Sequence, residues 1–202
     1  GTILDFSAEG AKTEAGFDKT MEEILKTLDK AKGNPAIPFT VFKSTGSVDI
    51  DLLTKVQAKE TLSPSETEAF DHFHTRVEKI CERAHQYNIP VMVDAEDSWI
   101  QNVIDAIVYE MMKKFNTKQA IVFNTYQMYR SDMLDNLRKA FHEATMHNYF
   151  LGVKMVRGAY MEKEAERAEK MDYANPIHPN KAATDEAFNK GLAFCLDNKQ
   201  RI

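Results

Sequence analysis

Five times the chain passes from a short apolar run of strand type into a longer stripe of apolar residues at helical spacing, and this alternation leaves few folds open. The strand candidates are residues 2–7, 39–44, 89–94, 119–124 and 150–156. Phe17, Met21, Ile24, Leu25 and Leu28 form the first helical stripe, closed by Gly33, Asn34 and Pro35. The second holds Phe70, Phe73, Val77, Ile80, Cys81 and Ala84. It is entered through Ser63, which can cap, Pro64, which suits the first helical position, and Glu66, which can close a capping box. Ile100, Val103, Ile104, Ile107, Val108, Met111 and Phe115 recur at a clean helical period. Leu134, Leu137 and Phe141 follow a cap near Ser131, and Phe188, Leu192, Cys195 and Leu196 line the last helix.

The strand candidates are too far apart for hairpins, and each gap holds a helix. Several are apolar on both faces, as buried parallel strands are. The class is therefore α/β with a parallel sheet. An open doubly wound sheet and a (β/α)8 barrel compete. No Gly-x-Gly-x-x-Gly occurs, which removes the main signature of the dinucleotide-binding open sheet. A flavodoxin-like sheet fits the strand count, but the loop after its first strand would read Ala8-Glu9-Gly10-Ala11-Lys12, and an acidic residue there opposes a phosphate.

The 202 residues suffice for one domain with a sizeable core. The net charge of -5 is mild, and no Lys/Arg run interleaved with aromatics suggests a nucleic-acid surface. No apolar run approaches the roughly 18–20 residues of a membrane span. Cys81 and Cys195 both fall on helical stripes and read as buried thiols rather than a disulfide framework, which fits a reducing compartment. Neither a signal nor a transit peptide is visible at the amino end, which starts almost inside a strand.

Polar groups gather at the strand ends. The second strand ends in Lys43, the third in Asp94-Ala95-Glu96, the fourth in Asn124 and the fifth in Arg157-Gly158-Ala159-Tyr160. In parallel α/β folds ligands bind at that edge, and charges beside Val-Met-Val or Val-Phe runs need partners or a ligand. Each residue has a plainer reading alone: a solvated lysine, a helix-capping Asp94, a turn asparagine, a surface arginine. Their common edge argues against all four plain readings together. The histidines lack metal-ligand spacing: His72 and His74 stand two apart, and His85, His142, His147 and His178 lack company. The run 162–170 reads as a solvated helix with i,i+4 pairs, and Trp99 as packing at a helix start.

At these strand ends the sequence resembles the proline dehydrogenase family, both the eukaryotic-type enzymes and the matching domain of the bacterial bifunctional proline-utilisation protein. The resemblance is carried by Val91-Met-Val-Asp-Ala-Glu96, Asn124-Thr-Tyr-Gln-Met-Tyr-Arg130 and Lys154-Met-Val-Arg-Gly-Ala-Tyr160, supported by residues 3–7 and 39–43. It implies a (β/α)8 barrel holding FAD, of which residues 1–202 supply about five strand–helix units, with three more expected after 202. The implied reaction oxidises L-proline to Δ1-pyrroline-5-carboxylate, with hydride going to flavin N5 and electrons on to a quinone. By resemblance, Asp94 lies beside the substrate and pairs with Lys43, which binds the proline carboxylate. Met155 and Tyr160 wall the proline ring, and Ala95, Asn124, Arg157, Gly158 and Ala159 contact FAD. Lys154 supplies the cation near N5 and Asn124 a hydrogen bond to the ring.

The resemblance also implies functional coupling to pyrroline-5-carboxylate dehydrogenase and peripheral membrane association of the full-length enzyme. The implied address is mitochondrial for a eukaryotic protein, and cytoplasmic or peripheral at the inner membrane for a bacterial one. The family pattern departs at Lys154 and Asn124, where many bacterial relatives carry Arg and Gln. Three rivals stand beside this reading: a hydroxyproline dehydrogenase of the same family, a Schiff-base barrel aldolase using Lys43, and a non-catalytic barrel fragment.

Overall fold

A parallel strand can reach its neighbour only by a crossover, and each long helical stripe supplies one. The computed structural model describes residues 1–6 and 11–202. The end of the first strand candidate at Ser7, and Ala8, Glu9 and Gly10 of the loop after it, lie outside the described residues. The strands are β1 (Ile3–Phe6), β2 (Phe39–Lys43), β3 (Val91–Asp94), β4 (Val122–Gln127) and β5 (Gly152–Val156), all parallel and ordered in space as in the chain. The helices are α1 (Glu14–Ala31), α2 (Ile50–Gln57), α3 (Pro64–Tyr87), α4 (Ser98–Phe115), α5 (Met133–Met146), α6 (Met161–Lys170) and α7 (Lys181–Asp197).

Sequential order decides between the two architectures. A doubly wound sheet reverses its strand order at a switch point, which sends helices to both faces. Here every crossover steps the same way, and right-handed crossovers then stack all helices on one side of a curling sheet. That is five strand–helix units of a (β/α)8-type barrel wall.

Strand side chains alternate between the two sides of this wall. Phe42, Val91, Val93 and Val122 point outward and are wholly buried with Ile80, Ile104, Met111 and Leu137 of the helices. The other set faces the barrel axis. In register, Lys43 stands beside Asp94 and Thr125 beside Lys154, while Val93 beside Asn124 puts Asp94 in step with Thr125. Lys43, Asp94, Thr125 and Lys154 thus form one row across four strands.

Three differences from the sequence reading matter. The fourth strand runs over Val122–Gln127 rather than 119–124, so Asn124 sits inside it and not at its end. The cause is Asn116 at the carboxyl end of α4. Its buried amide donates to Val122 O and Phe150 O and accepts from Ile121 N and Val122 N, which satisfies the backbone before the ladder begins. Second, an eight-residue helix, α2, precedes α3. It is too short to print a stripe, though Leu52 and Leu53 anchor it. Third, α6 is not solvated all round: Glu164 within the charged run is fully buried. Cys81 is buried, and burial pushes its thiol well up; Cys195 is half-buried against Met155, sulfur to sulfur 3.9 Å.

Candidate active site

The axis-facing row opens into a cavity of about 360 Å³ at the carboxyl ends of the strands. Its wall is built from Lys43 of β2, Asp94 of β3 and Ala95 just after it, Thr125 and Gln127 of β4, Lys154 and Val156 of β5, and the loop Arg157-Gly158-Ala159-Tyr160. One sheet edge therefore brings together residues up to 117 positions apart in the chain, from Lys43 to Tyr160.

The cavity carries charges of both signs. Lys154 Nζ donates to Asp94 Oδ1, with both side chains about three-quarters buried. Asp94 thus takes Lys154 as a hydrogen-bond partner, a contact the resemblance did not assign, with Lys43 in register beside it. The register explains this. Lys43 and Lys154 flank Asp94 from opposite sides of the row, and Thr125 between Asp94 and Lys154 is short and turned away, its hydroxyl donating to Val93 O at 2.7 Å. Asp5 of β1 feels the same charges. Burial raises its carboxyl, and Asp94 raises it further, while Lys43 and Lys154 oppose the shift. The strand-end reading did not single out Asp5; its only signal was one acid inside the apolar run 3–6.

Two expected ligand contacts lie on the wrong side of the wall. Asn124 is buried on the helix side, where its Nδ2 donates to Asp105 Oδ1 of α4 at 2.8 Å and its Oδ1 accepts from Thr125 N. Met155 also points outward: its methyl would lie 2.9 Å from a Cβ added at Gly191 of α7. Alternation forbids Lys154 and Met155 from sharing a face. The axis-facing amide of β4 is instead Gln127, only 2% exposed, whose Oε1 has no hydrogen-bond partner although the side chain lines the cavity.

The loop after β5 is firmly seated. Arg157 Nε donates to Asp185 Oδ1 of α7 at 2.5 Å, and its guanidinium lies 4.2 Å from the Phe188 ring centroid. Gly158 has φ of +127°, and a Cβ there would come within 2.3 Å of the Tyr129 ring. Glycine is therefore required by backbone and packing alike. Tyr129 N donates to Arg157 O at 2.6 Å, which ties the end of β4 to the same loop. On the other flank, Glu96 Oε1 accepts from Thr45 N and Thr45 Oγ1 at 3.0 and 2.8 Å, and its burial raises its carboxyl despite those donors. Among the described residues no group of His, Cys, Asp and Glu is arranged to hold a metal ion.

Chemically, the cavity offers two ammonium groups, one guanidinium, one carboxylate, one amide and a glycine-bearing loop beside apolar walls. Such a site can orient a small zwitterion and stabilise negative charge on a flat ring. The proline dehydrogenase family model matches residues 1–202. A carbapenem antibiotics biosynthesis protein of Pectobacterium carotovorum is 30% identical over 99% of this chain and 52% of its own length. A mitochondrial proline dehydrogenase 1 of Dictyostelium discoideum is 30% identical over 98% of this chain and 41% of its own. The chain thus spans about half the length of the curated relatives it matches. Among solved structures, proline utilization A from Bdellovibrio bacteriovorus, inactivated by N-propargylglycine, superposes over 100% of this chain and 22% of its own. The TM-score is 0.83 at 15% identity, a likeness of fold.

Proposed function

From the chain's membership of the proline dehydrogenase family, we propose that its cavity is part of the site where an FAD-dependent enzyme oxidises L-proline to Δ1-pyrroline-5-carboxylate. The single observation that carries this reading is the row Lys43–Asp94–Thr125–Lys154 with the orphaned Gln127 oxygen behind it, all facing one cavity. A buried amide without a partner costs free energy unless something completes it, and a flavin ring edge with N–H and C=O groups is suited to do so. The residues present therefore fit the cofactor. Ala95, Gln127, Lys154, Arg157, Gly158 and Ala159 would hold it, with Gln127 taking the place that the sequence assigned to Asn124.

Bound there, FAD supplies the acceptor for a hydride leaving the proline carbon next to nitrogen. Lys154 stands where a cation lowers the energy of negative charge developing on the ring, and Asp94 fixes the direction of its ammonium group. In this reading Lys43 serves the proline carboxylate, while Asp94 offers an anion to the substrate's nitrogen. Tyr160 and Val156 contribute apolar wall against which water is excluded.

A quinone as final acceptor and coupling to pyrroline-5-carboxylate dehydrogenase belong to the same proposal. So does peripheral membrane association; no described helix is long and apolar enough to cross a membrane. Several relatives carry the word mitochondrial in their names, and a mitochondrial address is proposed if the source is eukaryotic.

The test is anaerobic titration of the FAD-loaded protein with L-proline, which should bleach the visible flavin band. Lys154→Met should slow that bleaching far more than it weakens FAD binding. A flavin band untouched by saturating L-proline would remove the proposed reaction.

A further inference from the structure

The cavity wall is made by two loops that are not adjacent in the sheet. Residues 95–97 follow β3, residues 157–160 follow β5, and the carboxyl end of β4 lies between them. Just behind the cavity these loops are clasped together. Glu164 of α6 is fully buried and reaches the first residue of α4: its Oε1 accepts from Ser98 N at 2.7 Å, and its Oε2 accepts from Ser98 Oγ at 2.6 Å.

The first turn of α4 needs this partner, because its N-cap residue Asp97 makes no capping hydrogen bond with its own side chain. Asp97 is used elsewhere, accepting from Lys163 Nζ at 2.5 Å. Trp99 then receives the Arg167 guanidinium 4.4 Å from its ring centroid and the Lys163 ammonium at 5.2 Å. Three successive residues of the α4 start, 97–99, are thus held by three residues of α6. A carboxylate buried against an amide N–H at a helix start is a favoured arrangement, and here it holds Ser98 through two hydrogen bonds.

We propose that Glu164 is a positioning residue: it sets the separation of Ala95 from the 157–160 loop, and hence the width of the cavity into which ring and substrate must fit. The proposal rests on the function proposed above for what enters the cavity, but the clasp itself does not. Without Glu164, Ser98 N loses its acceptor, the start of α4 keeps only the Lys163 and Arg167 contacts to α6, and both loops can drift. Reactions that depend on close approach lose rate steeply with such drift. A glutamine at this position would keep both contacts, since its oxygen accepts from Ser98 N and its amide can donate to a reversed Ser98 hydroxyl. Geometry would survive where charge does not.

The experiment compares Glu164→Ala and Glu164→Gln in the FAD-loaded protein by amide hydrogen exchange and by turnover of L-proline. Glu164→Ala should speed exchange in both 95–98 and 157–160 and lower kcat by roughly 10- to 100-fold with a smaller change in KM. Glu164→Gln should restore most of both. If Glu164→Ala does not fold, Ser98→Ala, which removes one of the two hydrogen bonds, should speed exchange in the same two segments to a lesser degree. Unchanged exchange in 157–160, or equal loss of kcat in the Ala and Gln variants, would overturn the proposal. Exchange is read whether or not L-proline bleaches the wild-type flavin, so failure of the functional reading stays separate from failure of the clasp.

Discussion

Replacing Asn124 and Gln127 separately should produce opposite phenotypes, because opposite faces of one strand carry them. Asn124→Ala removes two buried hydrogen bonds, one to Asp105 Oδ1 at 2.8 Å and one from Thr125 N at 2.9 Å. Asp105 keeps Gln101 as a donor but loses one of its two side-chain donors. Each buried polar group left short of a partner costs about 1–3 kcal/mol, so the loss from two should total roughly 2–6 kcal/mol. For a domain of this size that lowers Tm by roughly 5–20 °C. Burial already raises the Asp105 carboxyl, with Asn124 opposing the shift, so the variant raises it further. A folded-state carboxyl raised above its unfolded value loses stability as pH climbs, hence the deficit should widen from acid toward neutral pH. Gln127→Ala deletes an oxygen that already lacks a partner, so its stability should stay within about 1 kcal/mol of wild type. Its FAD dissociation constant should rise roughly 2- to 10-fold, the worth of one hydrogen bond. Thermal melts at several pH values and flavin titrations read both. An Asn124→Ala protein as stable as wild type but poor in FAD binding would refute the facing assigned to β4.

Two further outcomes follow from buried polar groups. Asn116→Ala strips partners from Val122 N, Ile121 N, Val122 O and Phe150 O at the start of the β4–β5 pair. It should cost at least about 3 kcal/mol in urea unfolding, and a loss under about 1 kcal/mol would show that water replaces the clamp. Glu96 is raised by burial, so its contribution to stability is fullest below the unfolded carboxyl pKa and is lost as pH rises through the folded one. Glu96→Gln should therefore gain on wild type as pH goes from about 4 to 7, measured by urea midpoints; a gap that does not change with pH would contradict it.

Much of the architecture was legible because burial writes itself into periodicity. The strand–helix alternation, the capping box at Ser63 with Glu66 and the long stripe of α4 are local patterns, and the structure holds each of them. The gathering of Lys43, Asp94, Lys154 and the 157–160 loop at one edge was also legible, since a strand's carboxyl end can be read from its apolar run. Facing was harder. The apolar residues of β4 fit a strand over 119–124 as well as one over Val122–Gln127, and a strand's side chains reverse sides with every residue. Placing Asn124 at the cavity and passing over Gln127 is an error of that kind. Only the ladder to β3 and β5, started by the Asn116 clamp, settles which residues turn inward.

The sequence alone determined the class of fold, the order of its elements and the edge at which chemistry collects, because those depend on which residues must leave water. That Lys154 meets Asp94, which face of β4 meets the cavity and why an acidic residue is buried in a charged helix were decided by tertiary structure. Those outcomes depend on the register between strands and on the docking of α6 on α4, contacts between segments far apart in the chain that no local pattern encodes.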